Sequence, residues 1–292
     1  MMLSYSDDII VAAEEVAKAG DIDEVLEKLR QLCLDDFAEL LLELPTVRLP
    51  NLSSVLPRMA SEEVQKNWTG NSGMALLCQT ASFVRLAVLN YQSLQGHGIE
   101  NGTILDFGCG YGRIIRLLYY FTSPTNIWGV DPRQESIDIC RADGVRAHFA
   151  VSDYLPTALP LGNTNFDLIY SFSVFTHLSQ RAATQALRTL RRYAAKDGLL
   201  LITIRPIEYW HVPGAADGNP QERAKLLEEH QSNGFAFFPH GLAAAVIDGE
   251  ATYGDASISL GWLKQCAEHW DLVKYDRSLA DPLQIHAYLV PK

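Results

Sequence analysis

The sequence has few cysteines, and those it has are poorly placed for structural work. Cys33, Cys78, Cys109, Cys140 and Cys266 are five in number, scattered, and never in Cys-x-x-Cys spacing. This excludes a disulfide framework or a zinc knuckle and fits thiols kept reduced in a cytoplasm. Basic excess is missing as well. With 24 Lys and Arg against 35 Asp and Glu, the net charge of −11 argues against broad binding to nucleic acid or to an anionic membrane. The one basic cluster, Arg188, Arg191 and Arg192, reads as the solvated face of a helix. No apolar run looks long enough to span a bilayer, and the opening Met-Met-Leu-Ser-Tyr-Ser-Asp-Asp is acidic where a secretory leader is basic. Internal repeats and low-complexity tracts are absent, and no set of carboxylates and histidines has the spacing of metal ligands. The expectation is a cytoplasmic protein without a metal, a nucleic acid or a membrane as partner. With 48% hydrophobic and 20% charged residues in 292, it has room for one large domain and a smaller appendage.

What is present centres on Ile104-Leu-Asp-Phe-Gly-Cys-Gly-Tyr-Gly-Arg113. A short apolar strand ends near Asp106, glycines follow at 108, 110 and 112, and an apolar-periodic helix begins. Without a Cβ, glycine lets the chain turn sharply and lets a ligand lie against bare backbone. A dinucleotide fingerprint needs its third glycine at the sixth place, which here is Arg113.

Around this stretch the chain reads as follows. Residues 6–43 predict two helices broken at Gly20-Asp21, with a stripe of Ile22, Val25, Leu26, Leu29, Cys33, Phe37, Leu40 and Leu41. That stripe must be buried against the main domain or against a second copy in a homodimer. Three prolines in 44–60 read as a linker, which places an N-terminal helical extension at 1–60 and the main domain at 61–292. An amphipathic helix is expected over about 74–91. From 103 onward strands and helices alternate: strands at 103–107, 126–131, 145–151, 166–171 and 198–204, with Pro132 opening the helix after the second. Repeated βα units predict a doubly wound, mostly parallel α/β sheet. The pattern breaks over 205–257, an insert rich in Pro, Gly and aromatics with one helix expected near 220–231. A helix at about 257–270 and strands at 272–277 and 284–290 follow, the last two as an antiparallel pair.

Asp106-x-Gly108-x-Gly110-x-Gly112 resembles motif I of the class I (Rossmann-like) S-adenosylmethionine-dependent methyltransferases, in particular bacterial small-molecule and glycan enzymes. The resemblance covers roughly residues 68–204 and implies a seven-stranded sheet whose final strand runs antiparallel between its neighbours. It implies S-adenosylmethionine as cofactor and S-adenosylhomocysteine as product. It also implies roles at the strand ends: Asp106 toward the methionine amino group, Asp131 with Pro132 at the ribose, Asp153 and the Tyr154 amide at the adenine, Ser171 and Phe172 beside the methionine. A carboxylate such as Asp131 is shared with nicotinamide enzymes and marks a nucleoside more than a methyl donor. Trp68, Thr69 and Gly70 precede the first strand where the family folds a segment over the cofactor; a helix cap and a core tryptophan read the same residues equally well.

Methyl transfer is an in-line displacement from an activated sulfonium, so the protein mainly aligns the reactants and excludes water. A hydroxyl acceptor gains from a base near the end of strand four, and His177 stands there, with helix capping as its alternative reading. His286 reads as a structural histidine. The run Ser171-Phe-Ser-Val lacks the Asn-Pro-Pro-Tyr motif of enzymes that methylate base amines. The expected activity is O-methylation of a small molecule or saccharide; Tyr209, Trp210, His211, Phe235, Phe237, Phe238, His240, Tyr253 and Asp255 of the insert offer aromatics and polar groups that could line an acceptor pocket, with core filling as the alternative reading for most of them. Two other readings stay open at this point: a nicotinamide-dependent oxidoreductase, and a non-catalytic scaffold that binds the cofactor.

Overall fold

The computed structural model describes residues 4–292; Met1–Leu3, the start of the acidic N-terminal run, lie outside them. Six helices come first: α1 (Asp7–Val16), α2 (Ile22–Leu29), α3 (Leu34–Glu43), α4 (Pro50–Val55), α5 (Glu62–Thr69) and α6 (Gly73–Gln95). Asp21 caps α2 by accepting the amides of Asp23 and Glu24. The apolar stripe is buried as expected, but it belongs to two helices rather than one. The chain leaves α2 through tight turns (Gln31 N to Lys28 O, Leu32 N to Leu29 O), and Cys33 drops out of the stripe. Exposed, it caps α3 instead, its thiol accepting the Asp36 amide at 3.4 Å. Residues 44–60 contain α4, which the three prolines obscured. Pro50 sits in its first turn, and the Glu14 carboxylate takes the Asn51 and Leu52 amides at 2.8 and 2.9 Å.

The length of α6 also departs from the sequence reading. Its 23 residues include an 18-residue window of mean hydropathy 1.3, enough by length and composition to cross a membrane. Half of that window is buried in the structure, and the helix carries Arg85, which pairs with Asp35 at 2.8 Å. A core helix of a globular domain meets the same test.

The alternating region follows: β1 (Ile104–Phe107), α7 (Arg113–Leu118), β2 (Ile127–Asp131), α8 (Gln134–Ala142), β3 (His148–Val151), β4 (Phe166–Ser171), α9 (Gln180–Arg191) and β5 (Ala194–Ile204). Ser179 caps α9 as its position before the apolar periodicity predicts. β3 begins three residues later than expected and β5 four residues earlier. Pro132 does not sit in the first turn of α8; it precedes the cap residue Arg133. The insert contains the helix expected near 220–231, and beyond it strands that its composition did not announce. It holds α10 (Pro220–Asn233), β6 (Phe235–Pro239), the short hairpin β7 (Val246–Ile247) and β8 (Glu250–Ala251), and β9 (Gly254–Ile258), with β6 and β9 antiparallel from Phe235↔Ile258 to Pro239↔Gly254. Because Ser257 lies in β9, the next helix, α11 (Leu260–Cys266), starts later than expected. β10 (Trp270–Arg277) and β11 (Ile285–Pro291) complete the chain.

Seven strands share one sheet in the order β10-β11-β5-β4-β1-β2-β3. β4 runs parallel to β1 and to β5, and β11 runs antiparallel to both β5 and β10. The final strand therefore inserts antiparallel between its neighbours, as the resemblance implied. The chain divides into two compact units, residues 1–102 with 109–150 and residues 103–108 with 151–292.

Candidate active site

In the first unit the glycine turn and β2 build one group of residues. Gly110 adopts φ +52°, in the left-handed region that costs a residue with a Cβ. Its amide donates to Asp131 Oδ2 at 2.9 Å, and the Arg133 amide donates to Asp131 Oδ1 at 2.9 Å. The carboxylate that closes β2 is thus held at both oxygens by backbone. Each oxygen has a second lone pair for a ligand hydroxyl. Burial raises the Asp131 pKa from its usual range, against the lowering effect of these hydrogen bonds. Trp68, near the end of α5, lies over the same turn. Its ring carbon stands 3.4 Å from where a Cβ on Gly110 would be, its Nε1 donates to Ser136 Oγ at 3.3 Å, and the Arg133 guanidinium stacks on it at 4.5 Å. Gly70 ends α5 in the left-handed conformation, the capping role that was its alternative reading. Gly112 likewise stands just before α7.

In the second unit the register Asp106↔Tyr170 sets those two side by side, and the Tyr170 hydroxyl donates to the buried Asp106 Oδ2 at 2.7 Å. Ser171 donates through its hydroxyl to Phe107 O at 2.9 Å, so its side chain is committed to the fold. Phe172 is half-buried beside it. Gly108 has φ +82°, and a Cβ there would fall 2.3 Å from Val174 Cγ2. The glycine motif and the loop after β4 can be this close only because residue 108 has no side chain.

That loop continues into a helical turn, Phe175–His177, which meets the insert. His177 Nδ1 lies 2.7 Å from Gly254 O, a contact that fixes the proton on Nδ1. Its Nε2 then faces Arg205 Nη2 at 3.3 Å, and its ring stacks on Tyr253 with centroids 5.2 Å apart. Burial, then the Arg205 charge, push the His177 pKa down to about 4. Arg205 donates to Asp255 Oδ1 at 2.6 Å and lies over the Tyr209 ring at 4.1 Å. Burial works to raise the Asp255 pKa, but Arg205 outweighs it and the carboxyl sits below its usual value. His240 completes the cluster, Nε2 at 3.3 Å from Asp255 Oδ2.

Residues 104–198 match a family model described as a methyltransferase domain. Among solved structures, the plantazolicin methyltransferase BpumL in complex with SAH is similar at a TM-score of 0.50 and 14% identity, over 93% of this chain and 99% of that one. A S-adenosylmethionine-dependent methyltransferase from Clostridium acetobutylicum matches at 0.49 and 14%, over 78% and 96% of the two chains. Magnesium protoporphyrin IX methyltransferase (ChlM) from Synechocystis PCC 6803 matches at 0.49 and 13%, over 79% and 94%. No curated protein matches the sequence. Residues 104–198 therefore carry a methyltransferase domain, and the sheet around it has the class I fold. The nicotinamide oxidoreductase reading ends there.

Within this methyltransferase the sequence-derived residues fall into separate groups. Gly110, Asp131 and Trp68 are drawn together in one unit, and Asp106 with Tyr170 and Ser171 with Phe107 in the other. Asp153 is exposed and Tyr154 half-buried in the segment after β3. His286 is buried in β11 opposite Thr203, and burial takes its pKa down to about 4. Arg205 was missed. It is the first residue past β5, and nothing in Ile-Thr-Ile-Arg-Pro marks it as the cation that binds Asp255, fifty residues away. Among the described residues, no three His, Cys, Asp or Glu side chains are grouped as metal ligands are.

Proposed function

We propose that this methyltransferase moves the methyl group of S-adenosylmethionine to a hydroxyl of a small molecule or saccharide. The observation that carries the reading is the Gly110–Asp131 bond, which turns the strand-end carboxylate toward the glycine turn and fixes it there. A nucleoside ribose fits that arrangement, with Asp131 accepting from its hydroxyls and the bare backbone of Gly108, Gly110 and Gly112 along the methionine side. In the same reading Asp106 serves the amino group, Asp153 and Tyr154 the adenine, Ser171 and Phe172 the methionine, and Trp68 with Gly70 the cover. Pro132 stiffens the chain between Asp131 and Arg133.

Bound S-adenosylmethionine supplies an activated sulfonium methyl. The residues of this chain orient it, exclude water and receive the acceptor's proton. The hydroxyl preference is supported by the imidazole-rich cluster that follows β4 and by the run Ser171-Phe-Ser-Val in place of an amine-binding motif. His177 keeps a place at the acceptor, but as a neutral ring held by Gly254 and Arg205 it suits shaping the site better than taking a proton. Residues 1–60 are an extension to a catalytic domain at 61–292, and the five cysteines, none of them joined in a disulfide, suit the cytoplasm.

Calorimetric titration with S-adenosylhomocysteine, with NADH in parallel, tests the cofactor. Micromolar-order affinity for the first alone is expected, about −8 kcal/mol. Transfer of tritiated methyl to hydroxyl acceptors but not to matched amines then tests the chemistry; transfer to amines alone would overturn the hydroxyl reading.

A further inference from the structure

Where the insert joins the end of the sheet, the second unit holds a cleft of about 590 Å³. That volume lies within the range of small-molecule sites. The strand register builds one wall: Ile204 closes β5 opposite Ile285 of β11, and Ile285 lies opposite Arg277 of β10. Residues directly opposed on antiparallel strands project from the same face of a sheet. The insert side adds Ile258, whose amide donates to Arg205 O at 2.9 Å and ties the end of β9 to the chain leaving β5. Pro206 and Ile207 follow in that chain and line the same space. The walls are thus mainly aliphatic.

His230 of α10 supplies a polar group. Only 7% of it is exposed, yet it lines the cleft. Its Nδ1 lies 2.7 Å from Ser257 Oγ, and Trp210 Nε1 donates to the same oxygen at 2.7 Å. An indole nitrogen only donates, so Trp210 takes up a lone pair of Ser257 and leaves its hydroxyl proton unplaced. Ser257 is fully buried, and His230 is the partner left for that proton. Ser257 therefore donates to His230 Nδ1, and the neutral ring carries its own proton on Nε2. Burial lowers the His230 pKa, which keeps the ring neutral at neutral pH. The relay from Trp210 through Ser257 ends on an Nε2–H that meets no acceptor among the described residues.

Charge around the cleft narrows the ligand further. Glu208 acts on the His230 ring so as to favour its protonation, and Asp276 lines the cleft as well. These two carboxylates, against the guanidinium of Arg277, disfavour an anion beside the imidazole. We propose that this cleft binds an uncharged, mainly apolar small molecule whose carbonyl oxygen accepts the Nε2–H of His230. The aliphatic walls supply affinity through buried area, and the N–H supplies orientation. Such binding is independent of the methyl-transfer reading, because it needs neither a sulfonium nor a proton acceptor.

Matched naphthalenes test this. In calorimetric titration of the full-length protein, the ketone acetylnaphthalene should bind about tenfold more tightly than ethylnaphthalene, which fills the same space without the acceptor. The anion naphthoate should bind more weakly than the ketone. In His230→Leu the ketone should lose its advantage over the hydrocarbon. Ile207→Trp, a change at a half-buried wall position, should fill the cleft and weaken both. Imidazole ¹⁵N spectra of the wild type, assigned through bonds, should show His230 as a neutral ring with its proton on Nε2. That proton should move downfield with the ketone and not with the hydrocarbon. These spectra decide the matter even where His230→Leu does not fold. Equal affinity for ketone and hydrocarbon, preference for naphthoate, or no binding at millimolar concentration would overturn the proposal. So would a ketone advantage that persists in His230→Leu, undiminished binding in Ile207→Trp, or an Nδ1–H ring in the spectra.

Discussion

The Gly110 amide donates to one oxygen of Asp131 across twenty-one residues of chain, at 2.9 Å. The contact ties the glycine turn to the end of β2. It means that a change at Asp131 acts on the backbone of the turn as well as on any ligand.

Asp131→Ala is therefore expected to weaken S-adenosylhomocysteine binding by one or two charge-assisted hydrogen bonds, about 1.5–3 kcal/mol each. Calorimetry on folded variant protein measures it. Unchanged affinity would take Asp131 out of the cofactor site.

Gly108→Ala should be costly for two separable reasons. A Cβ would sit 2.3 Å from Val174 Cγ2, and φ +82° strains any residue that has one. The strain contributes about 1–2 kcal/mol and the clash adds to it. Adding Val174→Ala should relieve the clash and leave the strain, so the double variant should recover only part of the lost Tm.

Arg116 is fully buried in α7 and bridges Asp143 at 3.0 Å, Tyr111 O and Arg58 O. Removing one partner of such a set leaves the rest uncompensated, so Arg116→Ala should cost about 3–5 kcal/mol by denaturant unfolding. Arg116→Lys should not restore it, because three acceptors in different directions need the guanidinium fork.

The buried histidines make stability sensitive to acid. His286 has its pKa lowered by burial to about 4, below the 6.5 of the free side chain. A folded-state pKa below the unfolded one favours the neutral ring. The stability is fully present above about pH 6.5 and is lost as pH falls toward 4. The shift corresponds to something on the order of 3 kcal/mol, with His177 acting in the same direction. Unfolding midpoints from pH 7.5 to 4.5 should fall steeply in the wild type and less so in His286→Asn.

Much of this fold follows from local pattern. Glycines at alternate places after an apolar strand, acidic residues closing successive strands and Ser179 before an apolar-periodic run are short-range signals, and each marks an element that the structure contains. The antiparallel end pair was legible too, from two strand-like runs separated by a short loop. Helix α4 was hidden because its cap is not local: Glu14 of α1 supplies it. The same holds for Cys33, which helical spacing assigns to a buried stripe until the turn after α2 rotates it to the surface.

The site divides in the same way. The sequence determined the residue types and the spacing of motif I, because a tight turn with bare backbone admits only glycine, and it determined the composition that excludes a disulfide framework. Tertiary structure decided which histidine has a free nitrogen. His177 and His240 are both imidazoles near aromatics in the sequence. Only the folded chain sets the first between Gly254 O and Arg205 and leaves the second half-open against Asp255. Proton affinity is a property of surroundings, and those of His177 come from Arg205 and Gly254, 28 and 77 positions away.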